Sequence, residues 1–221
     1  MTEPQIEVLP DAASVAERGA AYVAEQAQAA IADHGRFTFA VSGGRGPWAM
    51  FAHLAGKVPW EKVTIYQVDE RVAPYGDLDR NLTHLKRSLP PGGAADIRAM
   101  PMEAHDLETA ATDYARSLPE AFDLIHLGLG PDGHTASLVP GDPVLDVMDR
   151  KVALTGEYQG RRRMTMTYPT LNAAKQVLWL VTGEDKVDAL RRLRTGDASI
   201  PAGRVAAARA LIIADAAAAG T

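Results

Sequence analysis

The chain has 221 residues, 47 % of them apolar and 23 % charged, which is long enough for one large domain with a sizeable core and is the composition of a folded protein. Its formal net charge of −5 argues against a nucleic-acid binder that relies on a broad basic face. The same charge repels an anionic ligand on average, so a phosphate site has to be built locally from a few Arg or Lys side chains and backbone N–H groups.

In chain order, an Ala-rich stretch predicts a helix over Ala12–Ala32, capped by Asp11 and stopped before His34-Gly35. Phe37–Val41 (FTFAV) predicts a strand, and Pro47–Leu54 a helix that opens on a first-turn proline. A strand over Val63–Val68 (VTIYQV) and a helix over Asn81–Leu89, begun by a capping Asn, come next. A helix over Asp106–Leu118 precedes a strand over Phe122–Leu127 (FDLIHL). After His134 a helix of about two turns is expected, closed by Pro140-Gly141. An alternating strand follows at Met164–Thr167, then the strand Val177–Val181 (VLWLV), a helix over Glu184–Leu193, the strand Leu211–Ala214 and a short C-terminal helix. Most of the apolar runs are too apolar on both faces to have one side in water, the pattern of buried parallel strands. Alternation of strand and helix implies an α/β sandwich with a mostly parallel sheet. Pro90–Ala94 and Thr155–Arg162 read as exposed loops, neither of them a domain boundary, so residues 1–221 are read as one domain.

In such folds ligands bind at the carboxyl ends of the parallel strands. Four polar or glycine-rich clusters lie just after an apolar strand: Ser42–Pro47, Asp69–Arg71, Gly128–Ser137 and Thr182–Lys186. They are read as one candidate site. Gly128–Gly133 (GLGPDG) matches the dinucleotide-binding G-x-G-x-x-G pattern. That reading is rejected because Pro140-Gly141 cuts the following helix short, no following strand ends in a clear acidic residue, and an imidazole follows the last glycine. Another reading uses every residue. The glycines turn the backbone tightly, and Asp132 accepts from one ring nitrogen of His134, fixing its tautomer and raising the basicity of the other. Imidazole ordinarily titrates near pH 6.5, which suits a general base at neutral pH. The plainer alternative makes Asp132 a turn residue and His134 a surface neighbour.

Ser42–Pro47 (SGGRGP) lies between a strand and a helix, where free N–H groups and the helix dipole favour an anion. It reads either as a phosphate cradle with Arg45 as counter-charge or as a tight turn. Asp69-Glu70-Arg71 reads either as a site edge, with Arg71 gripping a phosphate or sugar oxygen, or as an exposed strand end with a local ion pair. Of Arg161–Arg163 at least two are expected in solvent. Lys186 suits a phosphate contact, though an isolated lysine is more often solvated. His126, inside an apolar run, reads as a packed, hydrogen-bonded strand residue. There is no cysteine, no G-x-S-x-G elbow and no H-E-x-x-H pattern. Neither a covalent nucleophile nor a metal or cofactor is therefore expected. The opening residues MTEPQIEVLPDAAS lack the features of a signal peptide and no apolar run approaches the roughly 20 residues of a membrane span, so a cytoplasmic protein without membrane contact is expected.

Taken together, SGGRGP, VTIYQVDERVAP followed by Asn81, FDLIHLGLGPDGHTASLVPG, RRMTMTYPTLNAAKQVLWLVTGEDK and Pro201 resemble the 6-phosphogluconolactonase family over nearly the whole chain. This family is grouped with the glucosamine-6-phosphate isomerases and deaminases. Those share the DGH core but usually continue as Ala-Phe-Asn-Glu-Pro, whereas Ser137-Leu138-Val139-Pro140-Gly141 is similar to the lactonase version. The resemblance implies a three-layer α/β sandwich with a Rossmann-like central sheet. It also implies hydrolysis of 6-phospho-D-glucono-1,5-lactone to 6-phosphogluconate in the oxidative pentose phosphate pathway. His134 is then the base that activates water, with Asp132 and Arg71 beside it. Arg163 and Lys186 hold the phosphate with Ser42, Gly43 and Gly44, while Arg45, Asp69 and Gly130 complete the substrate site. The implied partner is a small sugar-phosphate lactone, met by a monomer or weak homo-oligomer. Two departures stand out: Arg45-Gly46 replaces the usual Ser-Thr, and Arg80 replaces the usual Ser before Asn81.

Overall fold

The computed structural model of the chain describes residues 4–90, 95–206 and 209–221. The first half runs β1 (Gln5–Leu9), α1 (Ala12–His34), β2 (Phe37–Val41), α2 (Arg45–Ala52), β3 (Val63–Gln67), β4 (Asp69–Arg71), α3 (Asn81–Ser88), β5 (Asp96–Arg98) and α4 (Leu107–Ser117). The second runs β6 (Leu124–Leu127), β7 (Val152–Leu154), β8 (Arg163–Met166), α5 (Tyr168–Asn172), β9 (Val177–Val181), α6 (Val187–Arg194), β10 (Ala210–Asp215) and α7 (Ala216–Ala219). Of the loop Pro90–Ala94 expected from the sequence, all but Pro90 lies outside the described residues.

Seven strands form one sheet in the order β1-β10-β9-β6-β2-β3-β5, and every pairing in it is parallel. Side chains alternate between two apolar layers, as a strand covered on both faces requires. Phe37, Phe39, Val41, Leu178 and Leu180 face Val15, Val23 and Ala27 of α1 and Met50 and Phe51 of α2. Ile125, Leu127, Trp179 and Ile212 face Tyr114 of α4, Leu171 of α5 and Leu190 of α6. The fold is thus a three-layer sandwich around a parallel sheet. Helix α1 is held at its start by the Asp11 carboxylate, which accepts from Ser14 N at 2.8 Å, and at its end by Gly35 N–H donating to Ile31 O.

A second sheet was not legible as such. β4, β8 and β7 pair antiparallel in the order β4-β8-β7 and cover one edge of the core. The run VTIYQV therefore does not stop at Asp69. Val68 is the crossing point: its N–H donates to Val41 O of the parallel sheet, and its C=O accepts from Met166 N of the small one. A charged Asp-Glu-Arg triplet has little intrinsic strand preference, and the pairing that makes it a strand lies far along the chain.

The helix expected after His134 is absent. Thr135 and Leu138 exchange backbone hydrogen bonds across a two-residue turn, with Ala136 in the left-handed region at φ 51°. The next helical turn is a short one at Pro143–Asp146. Thr135 Oγ1 donating to Gly128 O and Ser137 Oγ donating to Asp69 Oδ2 tie this turn down, replacing the helix contacts.

The sheet reverses its winding between β2 and β6. From β2 the chain moves outward to β3 and β5; from β6 it moves the other way to β9 and β10. Loops leaving the carboxyl ends of these two neighbours diverge, and the crevice between them is where such sheets bind ligands.

His126 lies in β6, fully buried, in register with Val41 on one side and Leu178 on the other. It is packed as expected but not hydrogen-bonded: neither ring nitrogen finds a partner among the described residues. Burial pushes its pKa from 6.5 down to about 3. The folded value lies below the unfolded one, so the unfolded chain takes up the proton first. The contribution is complete above about pH 6.5 and is lost as the pH falls toward 3, by about 1.4 kcal/mol per unit. His126→Leu should therefore flatten the acid limb of unfolding free energy measured between pH 6.5 and 4; parallel limbs for the two proteins would refute this.

Candidate active site

The crevice holds a cleft of about 270 Å³. Every site residue expected from the sequence lines it except Asp132, which stands behind His134.

On one wall, β2 runs into Ser42-Gly43-Gly44 and α2. The helix starts at Arg45, two residues earlier than expected, and its first internal bond is Trp48 N donating to Gly44 O. The N–H groups of Arg45 and Gly46 therefore lie in the first turn, where no intrahelical acceptor exists. The Arg45 side chain is exposed and makes no ion pair among the described residues.

The opposite wall is the loop after β6. Gly130 N donates to His134 O at 2.8 Å and Gly133 N donates to Gly130 O at 3.0 Å, so the segment folds back on itself instead of opening a helix. Asp132 Oδ1 lies 2.6 Å from His134 Nδ1 and also accepts from His134 N at 3.1 Å. Burial pushes the Asp132 carboxyl up, but the backbone and side-chain hydrogen bonds from His134 outweigh it and hold the group below the usual carboxylate range. The ionised form thus persists at neutral pH and fixes the imidazole, while Nε2 has no partner among the described residues. Gly130 is required here: a Cβ on it would overlap His134 Nδ1 and crowd Asp132 Oδ1. The glycines that mimic a nucleotide fingerprint are used to seat the Asp–His pair.

The triplet of β4 divides its work. Glu70 is fully buried and faces away from the cleft. Its oxygens accept from Asn81 N and Leu82 N, each at 2.8 Å, and from Gln67 Nε2 and Arg71 N. It also lies 3.1 Å from Arg80 Nε. Glu70 is thus the cap of α3, supplied from another strand, and Arg80 is its buried counter-ion. The triplet is therefore not the exposed strand end of the alternative reading: Asp69 and Glu70 are buried, and Glu70 pairs with Arg80 outside the triplet. The expected cap, Asn81, is instead a site residue. Its Nδ2 donates to Asp69 O at 2.9 Å and its Oδ1 accepts from Arg71 Nη1. Gly43 is small for the same reason, since a Cβ there would overlap the Asn81 amide.

β8 places Arg163 directly opposite Arg71 in the antiparallel register. Arg163 is buried and makes no ion pair with a carboxylate among the described residues. Its Nη2 donates to Gln159 Oε1 at 3.2 Å, and its Nε has no partner among the described residues. Burial, with the Arg71 charge next, lowers its pKa. Arg161 and Arg162 point elsewhere; Arg161 pairs with Asp79 at 2.9 Å. Lys186 reaches the cleft from the turn after β9 while pairing with Asp185 at 2.7 Å. An acidic chain has gathered four cations on one cleft in which, among the described residues, Asp69 is the sole lining carboxylate. Asp69 is itself engaged by Ser137 and Asn81. Besides Asn81, sequence reading missed Tyr158, inside the loop Thr155–Arg162, whose ring meets both His134 and Arg163. Among the described residues, no three His, Asp or Glu side chains are grouped as a metal site, and no helix is long and apolar enough to cross a membrane.

A family model for glucosamine-6-phosphate isomerases/6-phosphogluconolactonase matches residues 10–213. The chain belongs to this family. A 6-phosphogluconolactonase of Synechocystis sp. is 38 % identical over 203 residues, covering 85 % of this chain and 83 % of the relative. The crystal structure of 6-phosphogluconolactonase from Thermotoga maritima superposes with a TM-score of 0.83 at 25 % identity, covering 96 % of this chain and 98 % of that one. A monomeric glucosamine-6-phosphate deaminase shares the fold, with a TM-score of 0.86 at 16 % identity, over 98 % of this chain and 99 % of that one. The fold expected from the family resemblance is the one observed.

Removing Glu70 would strip the cap from α3 and leave Arg80 buried with only the half-exposed Glu103 as counter-ion. Breaking a buried pair from one side costs roughly 3–5 kcal/mol. Glu70→Ala should lower the unfolding free energy in urea by about 3 kcal/mol or more, and a loss under 1 kcal/mol would refute the capping role.

Proposed function

We propose that this chain is a 6-phosphogluconolactonase that hydrolyses 6-phospho-D-glucono-1,5-lactone to 6-phospho-D-gluconate. The observation that carries the reading is Arg163: a buried guanidinium without a carboxylate partner among the described residues, set beside Arg71 in the cleft that holds the Asp132–His134 pair. A buried cation set beside a second, half-buried one is costly unless an anion joins them, and a sugar phosphate supplies one. The 38 % identity to a curated 6-phosphogluconolactonase supports the same substrate.

In this reading Arg163, Lys186 and the Ser42-Gly43-Gly44 turn hold the 6-phosphate, with the first-turn amides of α2 contributing N–H groups. Arg45, which replaces the Ser-Thr expected from the family resemblance, adds an exposed charge at the rim. Binding the phosphate fixes the lactone carbonyl near His134, which converts water attack into an intramolecular problem. His134 Nε2 takes a proton from water as the water oxygen bonds to C1. Negative charge developing on the carbonyl oxygen is met by backbone N–H groups of the glycine-rich turn or by Arg71. The tetrahedral centre collapses, the bond from C1 to the ring oxygen breaks, and the imidazolium returns its proton to that oxygen as the C5 hydroxyl. No covalent intermediate is needed. Ser137 Oγ is committed to Asp69, and Ser42 Oγ has no base within hydrogen-bond reach among the described residues. The reaction calls for no metal or cofactor, and the same reading puts it in the cytoplasm, carried out by a monomer or weak homo-oligomer.

Asp69 keeps one rival in view. An isomerase or deaminase acting on glucosamine 6-phosphate needs a further acid/base near C1 and C2, and Asp69 is the carboxylate on the cleft. Asp142 cannot serve, since it caps Val144 N and Gly156 N. Ammonia release from glucosamine 6-phosphate would favour the rival.

The test follows 6-phosphogluconate formation from freshly generated lactone, with spontaneous hydrolysis subtracted. His134→Ala should lower kcat about 10²–10⁴-fold with little change in KM. Asp132→Asn should lose less, and Arg163→Ala should raise KM about tenfold or more. A folded His134→Ala protein with near wild-type kcat would overturn the assignment.

A further inference from the structure

Arg163 stands between two clefts. It lines the active-site cleft, and it also lines a second one of about 230 Å³ bounded by Gln159, Arg161 and Asp79. Its Nε makes no hydrogen bond among the described residues, and its Nη2 donates to Gln159, a residue of the second cleft, so something other than that bond holds the guanidinium to the active-site cleft. The group in contact with its face is the Tyr158 ring, whose centroid lies 4.9 Å from the guanidinium carbon. The same ring meets His134 edge to face, with centroids 5.6 Å apart and planes at 62°. Its hydroxyl reaches Asp132 Oδ2 at 3.4 Å. One half-buried side chain therefore touches the proposed phosphate ligand, the proposed base and the carboxylate that orients the base.

The backbone is built to hold it there. Tyr158 and Arg161 exchange hydrogen bonds at 3.0 and 3.3 Å around Gln159-Gly160. Both central residues have positive φ, 53° and 74°, the two-residue turn whose twist matches paired strands. Gln159 adopts a conformation that residues with a Cβ rarely take, and in doing so brings its amide to Arg163 Nη2 while Tyr158 comes up beneath. The charged groups beside Tyr158 are Asp132, at its hydroxyl, and Arg163, over its ring.

We infer that Tyr158 is a positioning residue: its ring pins Arg163 toward the active-site cleft and braces His134, so that the phosphate grip and the base are held in one geometry. The inference rests on the proposed roles of Arg163 and His134. A cation over an aromatic face is worth about two- to thirtyfold in an equilibrium, and here that preference is expressed as substrate affinity. Loss of the ring leaves Arg163 held only by Gln159, on the side of the second cleft.

The experiment uses steady-state lactonase kinetics with inorganic phosphate as a competitive inhibitor. Tyr158→Leu should raise KM and the phosphate Ki together, about tenfold, with a near-native melting temperature because the residue sits on a surface hairpin. Tyr158→Met, which fills space without a π face, should behave alike and serves if the leucine variant folds poorly. Tyr158→Phe should recover KM and Ki to within about twofold while kcat stays about two- to threefold low from the lost hydroxyl contact. In an Arg163→Ala background, adding Tyr158→Leu should change KM by less than about twofold, since partners acting through one contact are not additive. Wild-type KM and Ki in both Tyr158→Leu and Tyr158→Met, with Arg163→Ala still impaired, would overturn the inference and leave the proposed function standing. Full activity in both Arg163→Ala and His134→Ala would overturn the two together.

Discussion

The pairing of β4 with β8 is the constraint on which the site depends. It sets Arg71 opposite Arg163 in an antiparallel register, although like charges directly across such a pair repel. The arrangement holds because each backbone neighbour is tied elsewhere. Glu70 is locked into the start of α3 with Arg80, Asn81 binds Arg71 and the Asp69 backbone, and Thr165 Oγ1 accepts from Ser137 N. The result is a paired cationic surface that the rest of an acidic chain does not neutralise. Net charge and local field point in opposite directions, and the local one is what a bound anion feels at contact distance.

Around that pair, each loop contributes through close approach rather than bulk. Gly43 makes room for the Asn81 amide and Gly130 for the His134 ring. Either methyl group would push a functional side chain away from its partner. The strained positions are also at the cleft: Ala136 lines it and Gln159 holds Arg163, and both have positive φ. Such strain persists where surrounding contacts over-determine the backbone. Here those contacts are the Thr135–Leu138 bridge and the Tyr158–Arg161 bridge.

Arg80 shows how a departure from family pattern is absorbed. A buried arginine in place of a small hydroxyl residue needs a full set of acceptors. Its set is partial: Nη1 donates to Glu103 and the Ala73 carbonyl and Nε lies 3.1 Å from Glu70, while Nη2 has no partner among the described residues, and the side chain adds to the frame behind the site without entering it. Arg45 is the opposite case, an exposed side chain at the mouth of the Ser42-Gly43-Gly44 turn that lines the cleft.

The parallel sheet and the site's main residues were legible in the sequence. Apolar runs of four to six residues must be buried on both faces, and polar or glycine-rich clusters after them must meet at one sheet edge, so Ser42–Arg45, Asp69, Arg71, Gly130, His134 and Lys186 converge for local reasons. Asp132 and His134, two residues apart, carried their own pairing. What only the tertiary structure decided depends on contacts distant in sequence. β4 is a strand because β8 pairs with it, the segment after His134 is a turn because Ser137 is tied to Asp69, and Asn81 faces the cleft because Glu70 has taken over its capping role. Tyr158 is the clearest instance: its hairpin is local, but its meaning comes from two partners, His134 and Arg163, that the chain brings together only when the sheet edge closes.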